Sequence, residues 1–158
     1  MTNRVESFEL DHDGVTAPYI RKAKVMTVNP AYPDCVISKF DVRFAQPNQE
    51  FLSNGALHTL EHLFATFIRQ MTDQLIDVSP MGCRTGFYFV FCNDQDPAWV
   101  ARLVRNALID VSRFTGEIPG ASRKECGNYR EHDLDEAKSW AEKFLQVPEE
   151  ELVNVYRK

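Results

Sequence analysis

Cys35-Val36-Ile37-Ser38-Lys39-Phe40-Asp41-Val42-Arg43-Phe44 alternates apolar and polar side chains, and this stretch decides the fold class. Successive side chains of a strand point to opposite sides, so Val36, Ser38, Phe40, Val42 and Phe44 share one face while Lys39, Asp41 and Arg43 share the other. A strand with one apolar and one charged face predicts a half-solvated antiparallel sheet. Upstream, Ala23 to Val28 alternates in part and reads as a partner strand, with Pro30, Pro33 and Asp34 supplying the turn between the two.

Downstream the period changes. Leu57, Leu60, Phe64, Phe67, Ile68 and Met71 recur at helical spacing, and Ser53 or Asn54 can cap a helix running from about Ala56 to Met71. Leu75 to Val78 and Thr85 to Cys92 read as strands separated by a turn at Ser79-Pro80-Met81-Gly82. Asp96 and Pro97 open a helix through about Phe114, and Asp133 with Glu136 opens another to about Gln146. Gly116 to Tyr129 reads as an irregular loop, and Pro148 as the start of a last short helix. Strands and helices do not alternate in the βαβ manner. The expectation is one α+β domain over residues 1–158, with a mostly antiparallel sheet and helices packed on one face.

Composition bounds the function. The chain has 158 residues, 44% of them hydrophobic, and a net charge of −5, which suits one compact soluble domain and disfavours disorder or a coiled coil. No basic stripe exists to displace counterions from phosphates, so a small neutral or zwitterionic substrate fits better than nucleic acid. Met1 to Gly14 is acidic and lacks the apolar centre of a secretory signal. The longest apolar run, Phe87 to Cys92, is far short of the ~20 residues that span a membrane. A cytosolic location is expected. There, Cys35, Cys83, Cys92 and Cys126 point to metal or catalytic use rather than to a disulfide framework.

His58-Thr59-Leu60-Glu61-His62 lies inside the first helix. Residues four apart stack on one helix face, so both imidazoles can reach one ion, with the Glu61 carboxylate one step aside. This is the HxxEH arrangement of the inverzincins; the plain alternative is a pair of surface histidines. A catalytic metal usually takes a third protein ligand and keeps one position open. Cys126, beside Gly127, is one candidate for that third place and Asp110 the other. Cys83, in a glycine-flanked turn next to Arg84, is placed to work as a thiolate, or it is simply a small residue at a strand start. Cys35 and Cys92 read as core or strand residues. His12 alone reads as a solvated turn residue, Ser7 as an ordinary hydroxyl, and Arg43 as a sheet-surface charge able to bind substrate hydroxyls if it borders a site.

Taken together, several blocks resemble the S-ribosylhomocysteine lyase (LuxS) family in order along the chain. They are Val5-Glu6-Ser7-Phe8-Glu9-Leu10-Asp11-His12, Ala17-Pro18-Tyr19, Lys39 to Phe44 with Gln46-Pro47-Asn48, the His58 to His62 helix, Ser79 to Gly86, and Glu125-Cys126-Gly127-Asn128. The resemblance implies a cytosolic enzyme that cleaves S-ribosylhomocysteine to homocysteine and dihydroxypentanedione, the precursor of the quorum-sensing signal autoinducer-2. It implies His58, His62 and Cys126 as ligands of one divalent ion per chain, iron(II) natively with zinc or cobalt as substitutes. Glu61 and Cys83 match the acid/base pair, Ser7, His12 and Arg43 match residues contacting the ribose, and Asp77 falls near the homocysteine end. It also implies a homodimer with sites at the interface, where Ser7 and His12 serve the partner's metal. Two rival readings remain: a zinc peptidase with a downstream glutamate as third ligand, and a non-catalytic metal sensor with a fully ligated ion.

Overall fold

The structure, a computed structural model, describes residues 5–157. Residues 1–4 of the acidic N-terminal stretch, and residue 158, lie outside the described residues. The chain runs β1 (Tyr19–Asn29), β2 (Tyr32–Arg43), α1 (Asn54–Met71), β3 (Leu75–Pro80), β4 (Gly86–Cys92), α2 (Pro97–Arg113), α3 (Leu134–Leu145) and α4 (Glu149–Leu152). The strands form one antiparallel sheet in the order β1-β2-β4-β3, as the α+β expectation required.

Register explains which face is buried. Phe40 lies opposite Phe89 and Val42 opposite Phe87, so the apolar face of β2 continues into the aromatics of β4. There they join Leu60, Leu63 and Phe64 of α1 and Val104 and Leu108 of α2 in one core. The Phe64 ring meets Phe87 and Phe89 edge-on at centroid distances of 5.5 and 5.3 Å, the geometry that ring quadrupoles favour. Gly86 makes the β2–β4 crossing possible: a Cβ there would lie 2.3 Å from the Val42 carbonyl oxygen.

The charged face departs from expectation. Asp41 is 0% and Arg43 2% exposed, so this part of the face is not solvated. Leu10 and Val15 pack with Tyr19 in a second, small apolar cluster, and Tyr19 sits opposite Arg43 in the register. The buried charges persist because they are matched. Arg43 Nε and Nη2 donate to the two Asp41 oxygens at 3.1 and 2.8 Å, and the Tyr19 hydroxyl donates to Asp41 at 3.1 Å.

The hairpin also differs from its sequence reading. Pairing continues to Asn29 and Tyr32, which leaves Pro30 and Ala31 as the turn and places Pro33 and Asp34 inside β2. Pro33 is tolerated because β2 pairs with β4 only from Ser38 onward, so its missing N–H is at an open edge. Cys35 lies on this projecting end and Cys92 at the end of β4; both are exposed, so their strand reading holds and their core reading does not.

Capping ties the elements together. Ser53, not Asn54, caps α1, its Oγ accepting from the Ala56 amide at 3.1 Å. Asp133 caps α3 through the Glu136 amide at 2.9 Å. The Glu136 carboxylate does not return to Asp133 as in a capping box; it accepts from the Ser53 amide at 3.0 Å and Trp140 Nε1 at 3.1 Å. That carboxylate pins the start of α3 to the head of α1. Among the described residues no helix is long and apolar enough to cross a membrane.

Candidate active site

His58 and His62 stand on the half-buried face of α1, as the helical spacing required. The loop between α2 and α3 folds back over them. His58 Nδ1 donates to the Glu131 carbonyl at 2.9 Å and His62 Nδ1 to the Pro119 carbonyl at 2.7 Å. A nitrogen held against a carbonyl must carry the proton, which leaves each Nε2 bare and free to bind a cation. Gly120 turns this loop over His62 at φ +70, a conformation that favours glycine. The same loop delivers Cys126, whose amide bonds the Ser122 carbonyl at 2.9 Å and whose Sγ lies 3.2 Å from His58 Nε2.

Sequence reading missed His132. Its ring stacks on His58 at a centroid distance of 4.0 Å, and one ligating atom from each of His58, His62, Cys126 and His132 lies within 4.8 Å of the others. This cluster could hold one metal ion. Imidazole with thiolate suits divalent iron, cobalt or zinc, and His132 Nε2 is buried with no hydrogen-bond partner among the described residues, as an incomplete centre would leave it. Burial, with the neighbouring His58 and His62, pushes the His132 pKa down to about 4, so the ring is neutral at pH 7. Asp110, the other candidate ligand, is exposed on α2 and stands outside the cluster. No glutamate belongs to it, which leaves the peptidase reading without its third ligand. The one sequence signal for His132 was its place immediately before the Asp133 cap.

Glu61 is half-buried beside this centre. It lines a cavity of about 630 Å³ with His58, Gly82, Arg84 and Asn128, and a smaller opening with His62 and Gly120.

A second group forms around Cys83. Thr85 Oγ1 accepts from Arg43 Nη1 at 2.8 Å and lies 3.0 Å from Cys83 Sγ. Thr85 Oγ1 thus bridges the guanidinium and the Cys83 sulfur. Burial pulls the Arg43 pKa down, but hydrogen bonding to and the charge of Asp41 outweigh it and hold the guanidinium above its ordinary value. Arg84, at φ +60, adopts a left-handed conformation unusual for a non-glycine residue. Its carbonyl accepts from Leu52 at 2.8 Å and its guanidinium lies 4.3 Å from the Phe51 ring centre. Cys83, Arg43, Thr85 and His12 line one cavity of about 320 Å³, and His12 Nδ1 bonds the Leu10 carbonyl at 2.8 Å.

The sequence candidates therefore fall into two groups within one chain. His58, His62, Cys126 and Glu61 gather at the loop-covered face of α1, whereas His12, Arg43 and Cys83 gather elsewhere, and Glu61 and Cys83 share neither cavity. Ser7 lies in the turn closed by the Phe8 amide on the Val5 carbonyl at 2.8 Å, outside both linings. Asp77 is exposed on the edge strand β3, accepts from the Ser79 hydroxyl, and also lies outside both.

Residues 5–154 match the family model described as S-ribosylhomocysteinase (LuxS). The chain is 53% identical over 143 residues to an S-ribosylhomocysteine lyase of Thermus thermophilus, covering 90% of each chain. It is 47% identical over 145 residues to the lyase of Enterococcus faecalis, again covering 90% of each. With that of Streptococcus thermophilus it shares 44% over 144 residues, 90% of this chain and 88% of the relative. The chain belongs to the S-ribosylhomocysteinase (LuxS) family.

Proposed function

We propose that this chain cleaves S-ribosylhomocysteine to homocysteine and dihydroxypentanedione, moving the sugar carbonyl by enolisation and then expelling the homocysteine thiolate by β-elimination. One observation carries the reading: two imidazole nitrogens turned from their carbonyl partners and the Cys126 sulfur converge beside a carboxylate that borders open space. His58, His62 and Cys126 would hold a divalent ion, iron(II) natively with zinc or cobalt as substitutes, which supplies a Lewis acid for the carbonyl and enediolate oxygens. Glu61 takes protons from carbon and returns them. Cys83, 3.0 Å from the Thr85 hydroxyl, is the second base and works on the other side of the carbon chain. Arg43, His12 and Ser7 bind the ribose hydroxyls, and Asp77 lies toward the amino-acid end. The substrate is a small zwitterion, in keeping with the chain's charge, and the reaction belongs to the cytoplasm.

Glu61 and Cys83 line different cavities, with Gly82 and Arg84, on either side of Cys83, bordering that of Glu61. We infer that the working unit is a homodimer in which the His12, Arg43 and Cys83 group of one chain faces the metal centre of the other. The purified chain should release free thiol from S-ribosylhomocysteine under anaerobic conditions and leave a peptide library intact. Peptide cleavage without thiol release would replace this reading with the peptidase one.

A further inference from the structure

His132 takes no part in the chemistry described so far, yet its Nε2 is buried without a hydrogen-bond partner among the described residues, and a ring nitrogen of His132 lies within 4.8 Å of a ligating atom of each of His58, His62 and Cys126. We propose that His132 is not a fourth ligand but a hydrogen-bond donor to the substrate oxygen seated in the metal centre, and that Thr59 sets it in that role. Proton placement decides the role. Thr59 Oγ1 accepts the Asp133 amide at 3.0 Å. Its hydroxyl hydrogen has His132 Nδ1, at 3.3 Å, as the acceptor on offer among the described hydrogen bonds. With the hydroxyl donating there, Nδ1 is the bare nitrogen and the proton sits on Nε2. His58 and His62 are wired the opposite way, with carbonyls on Nδ1 and bare Nε2 atoms.

The same helix thus carries both instructions. Its histidines are made ligands by carbonyls, while Thr59, between them in sequence, makes the third imidazole a donor. Stacking on His58 at an interplanar angle of 20° fixes the ring plane. A donor so held requires no reorganisation when negative charge develops on an oxygen at the centre, which is where such a group contributes most to rate. The inference rests on the proposed lyase reaction for its substrate, but the proton placement can be tested without it.

The experiment is a nitrogen–proton correlation spectrum of the zinc-loaded chain labelled with 15N-histidine, His132 being assigned by its loss in His132→Gln. The expected result is a proton on Nε2 of His132 and on Nδ1 of His58 and His62. A His132 protonated on Nδ1, or bound to zinc through Nε2, would overturn the proposal whatever the substrate. Kinetics give a second test. His132→Ala should keep its metal and lose about 100-fold in kcat on S-ribosylhomocysteine, and His132→Gln, which retains an N–H near the same place, should recover at least about tenfold of that loss. Metal loss in His132→Ala comparable to that in Cys126→Ala, or equal rates in the Ala and Gln variants, would contradict it.

Discussion

At the scale of the residue, the centre depends on where each side chain keeps its proton. Removing Cys126 deletes the thiolate and leaves two imidazoles, so Cys126→Ala should lose its ion on dialysis while remaining folded, as metal analysis with circular dichroism would show. Glu61→Gln is isosteric and binds no metal in this reading; it should keep the ion and lose roughly 10²- to 10⁴-fold in turnover. Near-normal thiol release by that variant would remove Glu61 from the mechanism. His58, Glu61 and His62 were legible because a strongly periodic helix fixes which side chains share a face. Cys126 was legible only as one candidate beside Asp110, since loop geometry leaves no period to read. His132 was hidden because its partner Thr59 is 73 residues away. Asp41 and Arg43 looked like surface charges because alternation shows which face a residue takes, not what later folds over that face.

At the scale of the element, the joint between α1 and α3 positions His132 and is held by Glu136. Burial alone would raise the Glu136 pKa, but hydrogen bonds from Ser53 and Trp140 outweigh it and hold the carboxylate below its ordinary value of 4.5. A depressed carboxylate contributes stability that is fully present above the unfolded value and lost as pH falls through the folded one. The gap in urea midpoint between the protein and Glu136→Gln should therefore be widest at neutral pH and narrow below about pH 4.5. A gap unchanged on acidification would mean the charge does not hold the joint. Gly86→Ala addresses the sheet: with backbone 2.3 Å from the new Cβ, the strands must part, lowering stability by about 1–3 kcal/mol in chemical denaturation. An unchanged midpoint would show that the crossing tolerates a side chain. Every helix and strand of the sequence reading exists here, and the shifts lie at ends. Pro33 and Pro80 fall inside strands because each sits where no ladder hydrogen bond is demanded of it, a condition that depends on neighbours rather than on local sequence.

At the scale of the whole molecule, one sheet and a loop-covered helix carry two groups of candidate residues. If a second copy unites them, mixing Glu61→Gln with Cys83→Ala chains should regenerate intact sites in the mixed dimer, with about a quarter of the unmodified activity for random exchange. No recovery, with mixed dimers demonstrated by mass, would place both bases in one chain. The measurement closest to the central claim is anaerobic titration of the metal-free chain with iron(II), following homocysteine release from S-ribosylhomocysteine. The account predicts no release without metal and a rise that ends at one ion per chain, absent in Cys126→Ala. Full release by the metal-free chain, or an unchanged titration in Cys126→Ala, would contradict it.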